Sequence, residues 1–190
     1  SQGSVAFVFG GPEQASGAKA EPLSLLLPDG STLPVDLAGQ SAAWCLLDTR
    51  LTARAQLDYC NLSAFAQIGK VFVCFGVEGV RGLLSINGSP LEVTVPGGKD
   101  PVVHEHEGIV VVVASTKQLE LIAVDDHAVY LGVESIDSSG HPHAPAEARH
   151  FTRIDSDGQS KQHKVGTAAG HSGAQAHKGT GRKAALEEWT

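Results

Sequence analysis

Three apolar runs in this chain are each interrupted by a tight-turn signal and then resume. Asn-Gly and Asp-Gly supply the positive φ angles that short hairpin loops require, and the flanking residues are aliphatic or β-branched. Each interruption therefore predicts a β-hairpin, and a chain built this way folds into antiparallel sheet. The turns are Pro28-Asp29-Gly30, Asn87-Gly88 and Asp125-Asp126-His127, with the first hairpin over about Leu23–Leu37 and the last over about Gln118–Val133.

Further strand patterns recur at intervals typical of a sandwich or barrel. Strands are predicted at Val5–Phe9, Ala42–Asp48, Ala55–Cys60 and Lys70–Phe75, and in the run His104–Ala114. Lys70–Phe75 is apolar on both faces, which predicts burial on both sides. Asn61–Ile68 is interpreted as a short helix or loop with Asn61 as a cap. The predicted fold is all-β: an antiparallel β-sandwich, jelly-roll or immunoglobulin-like, with hairpins.

The composition changes at about Asp155. Residues 155–183 are mostly Gly, Ser, Ala, Gln, His and Lys, which bury too little apolar surface to offset the entropy of ordering. We therefore divide the chain into a sandwich region over 1–154, a linker over 155–183 and the start of a following segment over 184–190. The last two form a long irregular C-terminal tail.

Charge and hydropathy narrow the classes of partner. A formal charge of −7 argues against a nucleic-acid surface and an anionic membrane, which both require clustered Lys and Arg. The longest apolar stretch, Ile109–Ala114, is a strand's length and too short to cross a bilayer. We expect a soluble chain, with extracellular and periplasmic locations as candidates. A start without Met suggests a processed chain, a tag remnant or a fragment of a longer protein.

The three cysteines lie in strand-like runs. An odd number cannot pair completely, and Cys is among the most buried residue types. We expect buried free thiols, with a Cys45–Cys60 disulfide as the alternative.

Two histidines are candidate metal ligands. Alternate side chains of a strand share a face, so His104 and His106 could offer two imidazoles to zinc. Two ligands do not make a site, and the spacing matches neither a His-Glu-x-x-His helix nor a full cupin signature. We therefore favour an exposed, non-ligating strand end and assign no cofactor. A third ligand would have to come from Asp125, Asp126, His127, His141 or His143.

No catalytic residue is assigned. The carboxylates of a glycosidase face each other across a pocket, about 5 to 9 Å apart, whereas Asp125 and Asp126 are adjacent in a turn that favours Asp for its backbone hydrogen bonds. The glycines of 76–82 approach the spacing of a phosphate loop, but a strand follows them instead of a helix. A Gly-x-Ser-x-Gly nucleophile elbow is absent from the sequence.

Several segments of the sequence, taken in their order along the chain, resemble a region of a known protein family. They are Ala43–Thr49, Leu57–Leu62, Val71–Gly76, Ile86–Gly88, and His106–Gly108 ahead of a valine-rich run. Over about Leu23–Arg153 the chain resembles the β-rich region that follows the catalytic barrel in some bacterial β-galactosidases of the family 35 type.

The resemblance implies a function without catalysis in this chain. The catalytic glutamates of that family lie on a TIM barrel, and this sequence has no alternating strand and helix pattern, so none is carried over. The resemblance implies an accessory domain that packs on the catalytic barrel of the same parent protein, shapes its substrate cleft or mediates assembly.

Two alternatives come from other classes of protein. One is a free-standing carbohydrate-binding or cell-surface adhesion module with a carbohydrate ligand. The other is a small metal-dependent β enzyme that uses His104 and His106.

Overall fold

The structure, a computed structural model, describes residues 3–11 and 21–165. These residues are all-β, apart from one 3-10 turn at Gln118–Leu121. The strands are β1 (Ser4–Phe9), β2 (Leu23–Leu26), β3 (Thr32–Val35), β4 (Ala42–Arg50), β5 (Gln56–Cys60), β6 (Ser63–Ile68), β7 (Val71–Gly76), β8 (Arg81–Ile86), β9 (Ser89–Thr94), β10 (Val102–His106), β11 (Ile109–Ser115), β12 (Ile122–Val124), β13 (Ala128–Leu131), β14 (Ser135–Ile136), β15 (Pro142–His143), β16 (His150–Asp155) and β17 (Ser160–Lys164).

The chain divides into two compact units, Ser1–Leu119 and Glu120–Thr190. In the first unit, five strands form a sheet in the order β1-β4-β5-β8-β9, four form a sheet in the order β10-β11-β7-β6, and β2 pairs with β3. The pairing is antiparallel throughout this unit except between β7 and β11, which run parallel. The sheets are therefore mostly, but not purely, antiparallel.

One core cluster of the first unit takes its side chains from both larger sheets. Leu57 and Leu84 come from the five-stranded sheet, and Phe72 and Val111 from the four-stranded sheet, all at most 1% exposed. Removing such side chains from water contributes about 25 cal/mol per Å² of apolar surface. A second cluster joins Val35 and Leu37 to the inner face of β4.

The three predicted hairpins are present as β2–β3, β8–β9 and β12–β13. Asn87 and Gly88 have φ of 53° and 76°, as a two-residue hairpin turn requires. The strand predicted at Lys70–Phe75 is β7, and its residues Val71–Phe75 are buried on both faces.

The structure corrects two local interpretations and divides one run of predicted strand. Residues predicted as a helix or loop at Asn61–Ile68 form strand β6 after a two-residue bend, because β6 pairs with the buried strand β7. The run His104–Ala114 is two strands, joined by a turn at Glu107-Gly108 with φ of 50° and 73°. Residues Gln118–Leu121, predicted to lie in the last hairpin, form the 3-10 turn that precedes it.

In the described part of the second unit, the strands form a sheet in the order β12-β13-β16-β17, with β14 and β15 as a separate pair. Its core cluster includes Ala128, Tyr130, Val133 and Phe151. Strand β17 lies within the predicted linker, so strand structure continues beyond the change of composition at Asp155. The rest of that linker from residue 166 and the segment 184–190 lie outside the described residues, and the predicted domain boundaries stay predictions.

Cys45, Cys60 and Cys74 are buried free thiols, as expected, and the alternative Cys45–Cys60 disulfide is not formed. Burial raises the pKa of Cys45 to about 12, with a smaller contribution from Cys60. The Cys45 thiol therefore behaves as a core side chain at neutral pH.

Within residues 3–11 and 21–165, no helix is long and apolar enough to span a bilayer.

Candidate interaction surface and predicted metal ligands

Strand β1 lies at one edge of the five-stranded sheet. Among the described strands it pairs only with β4, in a register that places Phe7 opposite Trp44. Trp44 is itself fixed, because its Nε1 donates a hydrogen bond of 3.0 Å to the Ala64 carbonyl and its ring packs edge-on against Phe75. Because one side of an antiparallel edge strand has no ladder partner, β1 presents backbone N–H and C=O groups that could pair with another strand.

The two faces of β1 differ in burial although both are apolar. Ala6 and Val8 pack against the core cluster of Val35, Leu37, Ala43 and Cys45. On the opposite face, Val5, Phe7 and Phe9 are 50%, 65% and 72% exposed. We call these three side chains the β1 stripe.

The β1 stripe is unusual among the edges of the two larger sheets of the first unit. Natural edge strands are protected against pairing by charges, prolines or bulges. Strand β9 carries Pro90 and Glu92, β10 carries Glu105, and β6 has a register shift between Ala64 and Ala66. Strand β1, with the sequence Ser-Val-Ala-Phe-Val-Phe, has none of these devices.

Sequence reasoning predicted strand β1 but not its exposed stripe. Val5–Phe9 is apolar at every position, and such a run is typical of a strand buried on both faces. The sequence carries no signal that distinguishes the covered face from the uncovered one.

The predicted ligand candidates His104 and His106 share a face of β10, as expected. They lie opposite Val111 and Ile109 of β11, whose side chains belong to the main core cluster. Both imidazoles are half-buried, and His106 Nε2 lies 2.9 Å from the Ser89 carbonyl oxygen. His106 therefore connects β10 to the start of β9, a structural role that sequence reasoning missed.

The proposed third ligands lie in turns and short strands of the second unit. Asp125 Oδ1 accepts hydrogen bonds from the backbone N–H groups of His127 and Ala128, and Oδ2 accepts one of 2.9 Å from the Tyr130 hydroxyl. Although burial opposes the shift, these bonds lower the pKa of Asp125. Its predicted role in turn chemistry is confirmed.

His141 and His143 lie close to a carboxylate that the sequence did not single out. Asp137 Oδ1 accepts backbone hydrogen bonds from Ser139 and His141, and Oδ2 lies 3.3 Å from His143 Nε2. The bond from the His141 backbone does most to lower the pKa of Asp137. This carboxylate organises the β14–β15 loop.

Across the described ranges, no group of three or more His, Cys, Asp or Glu side chains has an arrangement that could hold a metal ion. The geometry thus brings together no ligand set around His104 and His106. The surface feature that the structure adds is the β1 stripe.

No family model matches the sequence, and no curated protein matches it.

Proposed function

We propose that the chain is a non-catalytic accessory β-domain of a multidomain carbohydrate-active hydrolase of the β-galactosidase type. In this proposal the two larger sheets of the first unit stack as a β-sandwich of the jelly-roll or immunoglobulin-like class. The domain packs on the catalytic barrel of the same parent protein or shapes its substrate cleft.

One observation carries this proposal. The segments that resemble the β-galactosidase region coincide with β4, β5, β7 and the turns of the β8–β9 and β10–β11 hairpins, all in one compact unit. Leu57, Cys74 and Ile109, which lie in or next to these segments, belong to one shared core. A stable β scaffold with its own core fits a domain that supports a catalytic partner.

The gene that encodes the chain provides the most direct test. We expect an open reading frame in which this segment follows a predicted TIM barrel that carries two candidate catalytic glutamates. We also expect the purified chain to leave 4-nitrophenyl β-galactoside intact, with and without added Zn²⁺. A reading frame without a barrel would contradict the proposal, and zinc-dependent hydrolysis that is lost in both His104→Ala and His106→Ala would support a metal enzyme instead.

A glycan array separates the proposal from a free-standing carbohydrate-binding or adhesion module. We expect no saturable binding by the isolated chain, because an accessory domain that packs on a barrel or shapes its cleft has no complete sugar site without the barrel. Saturable binding to one class of glycan would support the alternative.

A further inference from the structure

We propose that two copies of this chain associate through β1, by antiparallel pairing of the two edge strands about a twofold axis at Phe7. The inference goes beyond the proposed function and does not depend on it. It follows from the backbone edge of β1, the β1 stripe and the symmetry of its side chains.

The side-chain pattern of β1 is self-complementary. In an antiparallel pair centred on Phe7, Phe7 lies opposite its counterpart and Val5 lies opposite Phe9 of the other copy. Residues opposite each other share a face, so the exposed stripe of one copy meets that of the other. Ala6 then lies opposite Val8, which continues the covered face of the sheet. A shift of one residue would place apolar stripe residues against covered ones. A shift of two residues would keep the stripes on one face but would leave one stripe residue of each copy without a counterpart, so the register centred on Phe7 gives the longest contact between the stripes.

The local charge of β1 permits pairing between two copies. The chain has a formal charge of −7, but Ser4–Phe9 contains no charged side chain, so pairing places no like charges opposite each other. The long-range repulsion between two acidic copies is screened by salt. Association should therefore become stronger as NaCl is added.

The exposed apolar area of the β1 stripe limits the expected affinity of the dimer. With about 200 Å² for a Phe side chain, the exposed parts of the three residues come to roughly 350 Å² per copy, so about 700 Å² is the upper limit that the stripes can bury in a dimer. Specific stable interfaces bury about 1,200 Å² or more. The ladder hydrogen bonds add to the side-chain contact, so we expect a reversible dimer with a dissociation constant between about 10 μM and 1 mM.

Sedimentation equilibrium on the full chain, from about 5 μM to 1 mM, tests the association. We expect a monomer–dimer equilibrium that Phe7→Lys weakens by ~10-fold or more, because two ammonium groups would then face each other at the axis. Phe9→Lys is a second variant, since Phe9 is the most exposed of the three. Leu26→Lys is the matched control: Leu26 is 70% exposed on β2, and its replacement should leave the dimer unchanged.

The register is tested with Phe7→Cys, oxidised by diamide at dimer-forming concentration. Two thiols facing each other across the axis lose two protons and two electrons to diamide and form one disulfide between copies. We expect covalent dimer from Phe7→Cys and far less from Leu26→Cys, while the three native cysteines are buried.

A monomer at every concentration up to 1 mM would overturn the inference. Equal weakening by Phe7→Lys and Leu26→Lys, or equal cross-linking of the two cysteine variants, would do so as well. Glycan binding that Phe7→Lys abolishes would assign the stripe to a sugar and would also overturn it.

Discussion

At the scale of single residues, Asn61 shows how one buried amide can connect three segments of chain. Its Nδ2 donates hydrogen bonds to the carbonyls of Pro34 and Arg81, and its Oδ1 accepts a 2.6 Å bond from the Leu83 amide. Asn61 is 6% exposed. Sequence reasoning predicted a helix cap here, because Asn is typical of caps, but all three partners lie more than 19 residues away.

Replacing Asn61 therefore tests this connection. We expect Asn61→Ala to lower the free energy of unfolding by about 1–3 kcal/mol, because the Leu83 amide and two carbonyls lose their partner in a buried setting. Asn61→Asp should be at least as destabilising. It keeps the oxygen that accepts from the Leu83 amide, but it replaces the Nδ2 donor by a carboxylate oxygen that repels the two carbonyl oxygens. Urea denaturation measures both, and a loss below about 0.5 kcal/mol would contradict the assigned role.

Glu107 illustrates a turn that sequence patterns do not reveal. Its φ of 50° is left-handed, a conformation that costs a side chain such as Glu about 1–2 kcal/mol and that Asn tolerates better. Glu-Gly is not a typical hairpin signal, and so the sequence predicts strand structure in the run His104–Ala114 without locating the turn.

The backbone strain at Glu107 predicts a stabilising substitution. Glu107→Asn creates the preferred Asn-Gly pair and should raise the free energy of unfolding by about 0.5–1 kcal/mol. Glu105→Asn is the control, because Glu105 is exposed within β10 and its replacement meets no such strain. Thermal unfolding measures the difference, and an equal change in both variants would contradict the explanation.

At the scale of elements, the contact between β8, β9 and the β5–β6 bend requires a residue without a side chain. A Cβ at Gly82 would lie 2.6 Å from Leu62 Cδ1 and 2.7 Å from Val93 Cγ2, closer than side chains approach. Leu62 and Val93 are both buried in the main core. Gly82 is thus set by packing and not by its φ angle.

We expect Gly82→Ala to destabilise the first unit by about 1–3 kcal/mol through overpacking. Gly98→Ala is the matched control, since a Cβ there would meet no atom within 4 Å. Chemical denaturation of the two variants measures the effect. Similar stabilities for both would show that Leu62 and Val93 adjust at little cost.

An imidazole packs across the pair of strands β16 and β17. His163 stacks on Phe151, with ring centroids 4.9 Å apart, and its buried Nε2 has no hydrogen-bond partner within the described residues. Burial, together with the positive charges of Lys161 and Arg153, lowers the pKa of His163 below 6.5, and Asp155 opposes the shift. The folded chain therefore holds His163 neutral at pH 7.

This shift predicts a loss of stability in acid. The unfolded chain takes up a proton at His163 more readily than the folded chain does. The stability that neutral His163 contributes is therefore fully present above pH 6.5, and it is lost as the pH falls through the lowered pKa of the folded state. Hydrogen exchange at the amides of β16 and β17 should become faster between pH 7 and 5, after correction for the intrinsic rate. His163→Phe keeps the stack and removes the titration, so it should show a smaller change; an equal change would point to another group.

At the scale of the whole molecule, hairpin signals predicted more of the fold than composition did. Asn87-Gly88 and its neighbours determine a local pairing that the structure reproduces. The linker predicted from composition begins at 155, yet β17 pairs with β16 through the backbone from Ile154↔Ser160 to His150↔Lys164. Residues with polar side chains can form the backbone hydrogen bonds of a strand ladder. A polar composition therefore does not exclude a strand, and β17 could not be identified from composition.

Less of the candidate surface than of the fold could be predicted from the sequence. His104 and His106 share a face, as the period of a strand dictates. The Ser89 carbonyl that lies against His106 comes from the preceding hairpin and belongs to the other large sheet, a contact that strand periodicity does not predict. The β1 stripe depends on the cluster that covers Ala6 and Val8 and leaves Val5, Phe7 and Phe9 in solvent.

The sequence by itself determined the all-β class, the three tight hairpins and the double-sided burial of β7, since turn residues and apolar alternation act over a few neighbouring residues. Only the tertiary structure decided the parallel pairing of β7 with β11, the position of β1 at a sheet edge and which of its two apolar faces lies in solvent. Those features depend on contacts between segments far apart in the chain. Many pairings of equally apolar strands are compatible with the same local pattern, and the packing of the core determines which pairing forms.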